Sequence, residues 1–299
     1  MSFISSQAFA GAWTQKKGGY FLKLSSNYLF TKNEFNHDSK NVPIFNERIA
    51  FDDASFRDIN VTFYGEYGLK DWLTLVGSLG FKSLKAEWQS YLVPPAEDNE
   101  GIPAGPRSKP GTTGLADLTL GAKTRLFSAP FVLSLQSGVK IPLGYTQRPG
   151  NDGAPLGTGD VDLETQLLLG KSLYPLPIYI TGGFGFRQRG GALHDEWIYS
   201  FEAGYASGKF LFKVNFDGIR NTSTPPDIPG FPVETGGNGG GNDFPQIPNV
   251  GDLHVNKLSP SIIYNVKNNV SIQLEALHVI TGTNTTNGTI YSLGFIISK

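Results

Sequence analysis

Apolar and polar residues alternate with a period of two in short runs along the whole chain, a pattern that restricts it to strands with one apolar and one polar face. In 20–30, Tyr20, Leu22, Leu24, Tyr28 and Phe30 interleave with Lys23, Ser25 and Asn27. In 57–69, Ile59, Val61, Phe63, Tyr67 and Leu69 interleave with Asp58, Asn60, Thr62 and Glu66. In 117–126, Leu118, Leu120, Ala122 and Leu126 oppose Asp117, Thr119, Lys123 and Arg125. In 160–169, Val161, Leu163, Leu167 and Leu169 oppose Asp160, Asp162, Glu164 and Gln166. Similar segments near 73–83, 131–141, 178–187, 196–205, 210–217, 257–264, 270–279 and 289–297 bring the count to 12.

Short and long connections between these segments alternate strictly. GLKDW (68–72), FSAP (127–130), SLYPLP (172–177), ASGK (206–209) and NVKNN (265–269) are tight turns. The connections between them, near 31–55, 86–113, 142–158, 188–195, 218–253 and 280–288, are longer. Transmembrane barrels sort their loops in this way, with short periplasmic turns and long extracellular loops, whereas a soluble sandwich has no reason to do so. Strands of roughly 9–12 residues suit a tilted membrane crossing, and an even count puts both termini in the periplasm. In hydrocarbon each unpaired N–H or C=O costs several kcal/mol, so the last strand must pair with the first. The predicted fold is all-β: a transmembrane antiparallel up-and-down β-barrel of about 12 strands, with short periplasmic turns and long extracellular loops. Its weakest strand is 257–264, where Pro260 removes a ladder donor.

Composition agrees with a barrel and excludes other classes. The chain has 299 residues, 37 Gly and 12% aromatics, and no run of ~18 apolar residues exists to form a spanning helix. There is no Cys, which removes disulfides, thiolate metal sites and a Cys nucleophile. A net charge of −1 gives no field for nucleic acid. Tyr67, Phe131, Tyr205, Phe210 and Tyr264 cluster beside the short turns, and Trp197, Tyr199, Phe186 and Tyr291 lie toward the long loops. That distribution reads as two interfacial girdles.

The start MSFISSQAFA carries Ala8-Phe9-Ala10, an A-x-A processing pattern without the charged n-region. We read residues 1–10 as a signal-peptide remnant and 11–299 as a single outer-membrane barrel domain. Segment 221–249 is too rich in Gly, Pro and Asn to fold alone. Its GGNGGG run lacks the Lys-Ser/Thr and strand–helix context of a phosphate loop.

With the apolar set facing lipid, the opposite set lines the lumen. The pore-lining residues are then Lys23, Glu66, Asp117, Lys123, Arg125, Lys140, Asp160, Asp162, Glu164, Arg187, Glu202, Lys213 and Glu275, joined by Asp58, Lys82, Glu196 and Asp217. Pairing Tyr205 with Phe210 would set Glu202 opposite Lys213, and pairing Leu126 with Phe131 would set Asp117 opposite Lys140; such pairs contribute about 0.2–1 kcal/mol each. The set is either a charge-balanced filling or a polar path for a small solute. Twelve strands fall between a filled lumen and an open channel. Acids near the outer mouth (Asp160, Asp162, Glu196, Asp217) would favour cations in an open lumen.

Nothing in the sequence defines an enzyme. His37, His194 and His254 map to loops or loop ends, and His278 has outward parity without a Ser at its height. Asp52-Asp53 and Glu97-Asp98-Asn99-Glu100 offer oxygens for Ca²⁺ but read as solvated loop acids. No cofactor is expected and no catalytic residue is assigned.

Several segments resemble the outer-membrane transporter family associated with the MetA-pathway of phenol degradation. They are GAWTQKKGGYFLKLS (11–25), YGEYGLKDWLTL (64–75), GLADLTLGAKTRL (114–126), GVKIPLG (138–144) and GTGDVDLETQLLLGKSL (157–173). The resemblance implies a Gram-negative outer-membrane barrel that moves small, often aromatic or apolar, compounds. One departure is the end, Ser298-Lys299, where many such barrels carry an aromatic residue read by the assembly machinery. The expected function is passive or facilitated diffusion of a small solute. The alternatives are a plugged structural or surface-interaction barrel and an outer-membrane lipid-modifying enzyme. Expected partners are outer-membrane lipid and lipopolysaccharide, the barrel-assembly machinery during biogenesis, and the solute.

Overall fold

The computed structural model describes residues 11–45, 51–96, 98–145, 153–191, 193–223 and 253–299. Residues 1–10, Glu97 and the GGNGGG run lie outside the described residues. Twelve long antiparallel strands form one sheet: β1 Tyr20–Thr31, β2 Phe51–Lys70, β3 Leu73–Val93, β4 Gly111–Phe127, β5 Val132–Pro142, β6 Asp162–Ser172, β7 Ile178–Gln188, β8 Glu196–Ser207, β9 Phe210–Asn221, β10 His254–Lys267, β11 Val270–Thr283 and β12 Thr289–Ser298. Each pairs with its neighbours in sequence, and β1 pairs with β12 from Phe21↔Ser298 to Leu29↔Ile290. The sheet is therefore a closed barrel with no membrane-level edge.

The period-two pattern sorts as the sequence predicts. Leu24, Phe63, Leu120, Leu167, Phe201, Val214, Leu274 and Leu293 project outward and are exposed on the bare barrel, which is the signature of a lipid-facing band. The turn-side aromatics Tyr67, Phe131, Tyr205, Phe210 and Tyr264 share that face. Pro260 also points outward. The β10–β11 ladder pairs Leu258 with His278 and resumes at Ser261↔Glu275, so the cost of the missing donor is confined to one seam. The β8–β9 turn depends on Gly208, whose φ of 57° lies in the left-handed region that glycine enters without strain.

Two expectations about boundaries are corrected. Segments 31–55 and 86–113 are not wholly loop: β2 has 20 residues, β3 has 21, and β4 begins at Gly111. Above the lipid-facing band their pattern inverts. Ala54, Phe56, Leu84, Ala86 and Trp88 point inward and are buried, while Arg57, Lys85 and Glu87 take the outward positions. Outside hydrocarbon the barrel wall behaves as a soluble β-structure does, apolar inside and charged outside. At this same end, Asn33–Phe35, Asn41–Pro43 and Thr285–Asn287 form a small separate sheet.

An Arg at Val61, near the middle of the apolar band, should destabilise the barrel by about 2–4 kcal/mol, whereas Thr62→Arg, one residue away on the lumen face, should cost much less. Denaturant titration in lipid vesicles measures both.

Candidate functional site

The lumen is stratified. At the short-turn end, inward-facing Phe21, Tyr179, Leu211, Ile263 and Ile296 form a buried apolar cluster, with Trp13, Tyr64 and Ala206 packed against it. At the long-connection end, Leu29, Phe45, Phe56, Leu84, Trp88 and Leu156 belong to a second apolar cluster. Charged and polar side chains fill the middle. The sequence pattern predicts a polar lining throughout. Phe21, Leu211 and Ile263 occupy inward positions at one end and Phe56, Leu84 and Trp88 at the other, so that expectation is corrected at both ends of the lumen.

Two segments outside the strands enter the barrel. The first is 11–17, which precedes β1 and lies across the short-turn end. The Lys123 ammonium donates to the Gly11 carbonyl at 2.9 Å, the Ser134 hydroxyl to the Ala12 carbonyl at 2.5 Å, and the Gln15 amide N–H to Thr74 Oγ1 at 2.8 Å. Gln15 Nε2 donates to Glu66 Oε2 at 2.7 Å. The Trp13 ring meets Tyr179 edge-on at a centroid distance of 5.8 Å. Gly68 and Gly170 make room for the segment: a Cβ on Gly68 would sit 2.0 Å from the Lys16 carbonyl oxygen, and one on Gly170 2.9 Å from Trp13. Lys123 and Glu66, both fully buried, pair at 2.9 Å beneath it. The segment supplies further partners to each charge, the condition under which a buried ion pair is tolerated.

The second segment is 153–159, in the long connection between β5 and β6. Leu156 packs into the outer apolar cluster and its carbonyl accepts from Lys82 Nζ at 3.2 Å. Thr158 bonds Lys140. Tyr145 donates to Asp117 and accepts from the Gly159 N–H at 3.2 Å. Burial and the Asp117 carboxylate push the Tyr145 phenol well above its ordinary range, so it remains a donor.

Beside the second segment lies a cavity of about 260 Å³ whose wall includes Val76, Lys82, Asp117, Thr119, Gln136 and Lys140, together with Thr158, Asp162, Glu164, Arg187 and Arg189. Lys140 pairs with Asp162 at 2.6 Å, Arg187 with Glu164 and Glu196 at 2.7 Å each, and Arg189 with Glu196 at 2.9 Å. The outer-mouth acids Asp162 and Glu196 are thus neutralised by neighbouring cations. Arg189 follows Arg187 at the same parity but lies just beyond β7, outside the periodic run 178–187 from which the lining is expected.

The remaining pore-lining residues fall as follows. Lys213 and Glu202 pair at 2.6 Å, and the Tyr179 hydroxyl donates to Glu202 at 2.6 Å. The register is not the one expected, since Ser207 pairs with Phe210 and Glu202 stands opposite Asn215. The bond forms diagonally, past Gly204, where a Cβ would overlap the Tyr179 ring. Asp117 likewise faces Pro142 rather than Lys140, which reaches it diagonally at 4.0 Å. Lys23 lies in the field of Glu275, Lys213 and Glu202, and Gln273 donates to Glu275 at 2.9 Å. Arg125 is half-buried, two positions nearer the turn than Lys123. Asp160 precedes β6 and packs against Gly190 and Gly191.

His278 faces outward and its Nδ1 lies 2.9 Å from the Thr289 hydroxyl. Thr289, on β12, thus stands beside His278 where the sequence pattern offers no Ser. Among the described residues, no group of three or more His, Asp or Glu side chains could hold a metal ion.

No family model matches the chain, and neither does any curated protein sequence. Among solved structures, an outer membrane channel from Pseudomonas putida F1 superposes over 100% of both chains with a TM-score of 0.63 at 11% identity. Looser likenesses are the transport unit of the autotransporter AIDA-I from Escherichia coli (TM-score 0.48, 8% identity, 100% of this chain and 93% of that one) and the TodX monoaromatic hydrocarbon channel (TM-score 0.44, 11% identity, 94% and 90%). The first supports the outer-membrane barrel fold.

Lys123→Met strands the Glu66 carboxylate and should cost about 3–5 kcal/mol. It should also release 11–17, exposing the Lys16 and Lys17 bonds to trypsin. Adding Glu66→Leu should recover much of the stability but not the protection, because Gln15 has then lost its acceptor. Denaturant titration and timed proteolysis separate the two effects.

Proposed function

We propose that the chain is an outer-membrane channel for small amphipathic solutes, aromatic acids being the best match. The observation that carries this reading is the charged cavity inside a closed barrel whose lumen carries apolar clusters toward both ends. Its volume is about 260 Å³, and a cavity of ~150 Å³ already accepts benzene, so one substituted ring fits and a disaccharide does not. Lys82 flanks the cavity and, beyond its bond to the Leu156 carbonyl, offers donors for a carboxylate or phenolate, while Lys140 beside it is held by Asp162 and Thr158. Val76 supplies an apolar side to the cavity wall, and Leu156 of the outer apolar cluster adjoins the lining residue Gly157. This reading is in line with the sequence resemblance to aromatic-compound transporters. It replaces the cation preference expected from the outer-mouth acids, because Asp162 and Glu196 are paired.

Passage requires segment 11–17 to shift at the short-turn end. A second reading, a plugged barrel whose loops interact at the cell surface, is favoured by that same segment, which crosses the lumen on buried bonds. Permeation distinguishes the two. In liposome swelling the wild-type protein should pass benzoate faster than benzylamine and exclude sucrose. Lys82→Glu should reverse the order of the first two. A barrel closed to all three solutes, with 11–17 deleted as well as present, would defeat the channel reading.

A further inference from the structure

The outward face of β1–β3 changes character at a single level. On β2 the outward residues Tyr67, Phe63, Val61 and Ile59 are apolar and exposed, and the next outward residue is Arg57. On β3, Phe81 is followed outward by Ser83, Lys85 and Glu87. On β1, Tyr28 and Phe30 are followed by Lys32. The registers place Phe30, Arg57 and Lys85 side by side across three strands. From Tyr67 to Arg57 is ten residues along β2. At ~3.3 Å per residue and a tilt of ~40° that is about 25 Å along the membrane normal, the full height of the apolar band. The charged row therefore lies at the headgroup level of the outer leaflet.

The chain after the short strand Ile102–Pro103 adds Arg107 and Lys109 to this row. Arg107 pairs with Asp53 at 2.8 Å, as does Lys32 at 2.7 Å. Glu87 is held by Lys85 at 2.9 Å and by Lys109 at 3.6 Å. Among the described residues, five cations (Lys32, Arg57, Lys85, Arg107, Lys109) thus face three carboxylates (Asp52, Asp53, Glu87). Arg57 and Lys85 stand directly opposite each other in the ladder. Like charges so placed repel, and an anion between them relieves that cost. The cluster is local. Toward the same end, Val161, Leu163, Phe184 and Trp197 keep the outward face of β6–β8 apolar and exposed.

We propose that this patch binds the phosphorylated glycolipid of the outer leaflet. Its sugar phosphates would lie among Arg57, Lys85 and Lys109, and its acyl chains would descend over Phe30, Ile59 and Phe81. Cations beside an apolar surface at headgroup height match both halves of that molecule, and each cation near an anionic lipid surface adds favourable attraction. The site is on the outer wall and is independent of the lumen.

The test uses the purified full-length barrel in detergent, with lipid retention read by native mass spectrometry. The probes are bis-phosphorylated lipid A and the same lipid A with both phosphates removed. The wild-type protein should retain the phosphorylated form on the order of tenfold more. The triple variant Arg57→Gln, Lys85→Gln, Lys109→Gln should lose that preference, while Lys171→Gln with Lys209→Gln, at the short-turn end, should keep it. A heat-dependent shift on denaturing gels reports barrel closure. Should the triple variant fail to close, Arg57→Gln alone, which breaks no ion pair among the described residues, should still lower the preference. Equal retention of the two lipids by the wild type, or an undiminished preference in a closed variant, overturns the proposal.

Discussion

Closure of the backbone ladder between β1 and β12 is the constraint on which the rest of this structure depends. Hydrocarbon offers no partner to an open edge, so the nine residue pairs from Phe21↔Ser298 to Leu29↔Ile290 make the other eleven strand pairings viable in a membrane. Closure also fixes an inside. Twelve strands enclose more space than their own side chains fill. The additional volume is taken up by residues 11–17 from one end and 153–159 from the other.

These two segments impose different chemistry on the two ends of the lumen. At the short-turn end, Lys123 and Glu66 are fully buried and satisfied by one another, by Gln15 and by the Gly11 carbonyl. At the other end, Lys82, Lys140 and Tyr145 hold 153–159 above the cavity. The cavity beside 153–159 is small and charged. The shape of the lumen thus rests on the packing of these segments as much as on the barrel wall.

The outer wall reflects a second solvent boundary. On β3 the same alternation runs from Leu75 to Gln89, yet apolar residues face outward up to Phe81 and inward from Leu84. The switch marks where lipid gives way to the polar headgroup region. The cationic row of Lys32, Arg57 and Lys85 begins at that boundary, which ties a change in the period-two pattern to a candidate contact with outer-leaflet lipid.

Much of this was legible in the chain alone. Period-two runs such as Ile59–Val61–Phe63 and the alternation of short and long connections determined a membrane barrel, its strand order and which residues face lipid, because those properties follow from local pattern and from the solvent. Which of the inward charges meet was decided by register: Ser207, not Tyr205, pairs with Phe210, and a shift of two residues leaves parity unchanged while replacing every partner. The paths of 11–17 and 153–159 into the lumen leave no periodic trace, since neither is a strand and each is anchored by bonds to residues distant in sequence, 51 positions from Gln15 to Glu66 and 74 from Leu156 to Lys82. The wall can be read from the chain because it is a local response to lipid and water; the contents cannot, because they are non-local contacts that exist only once the barrel has closed.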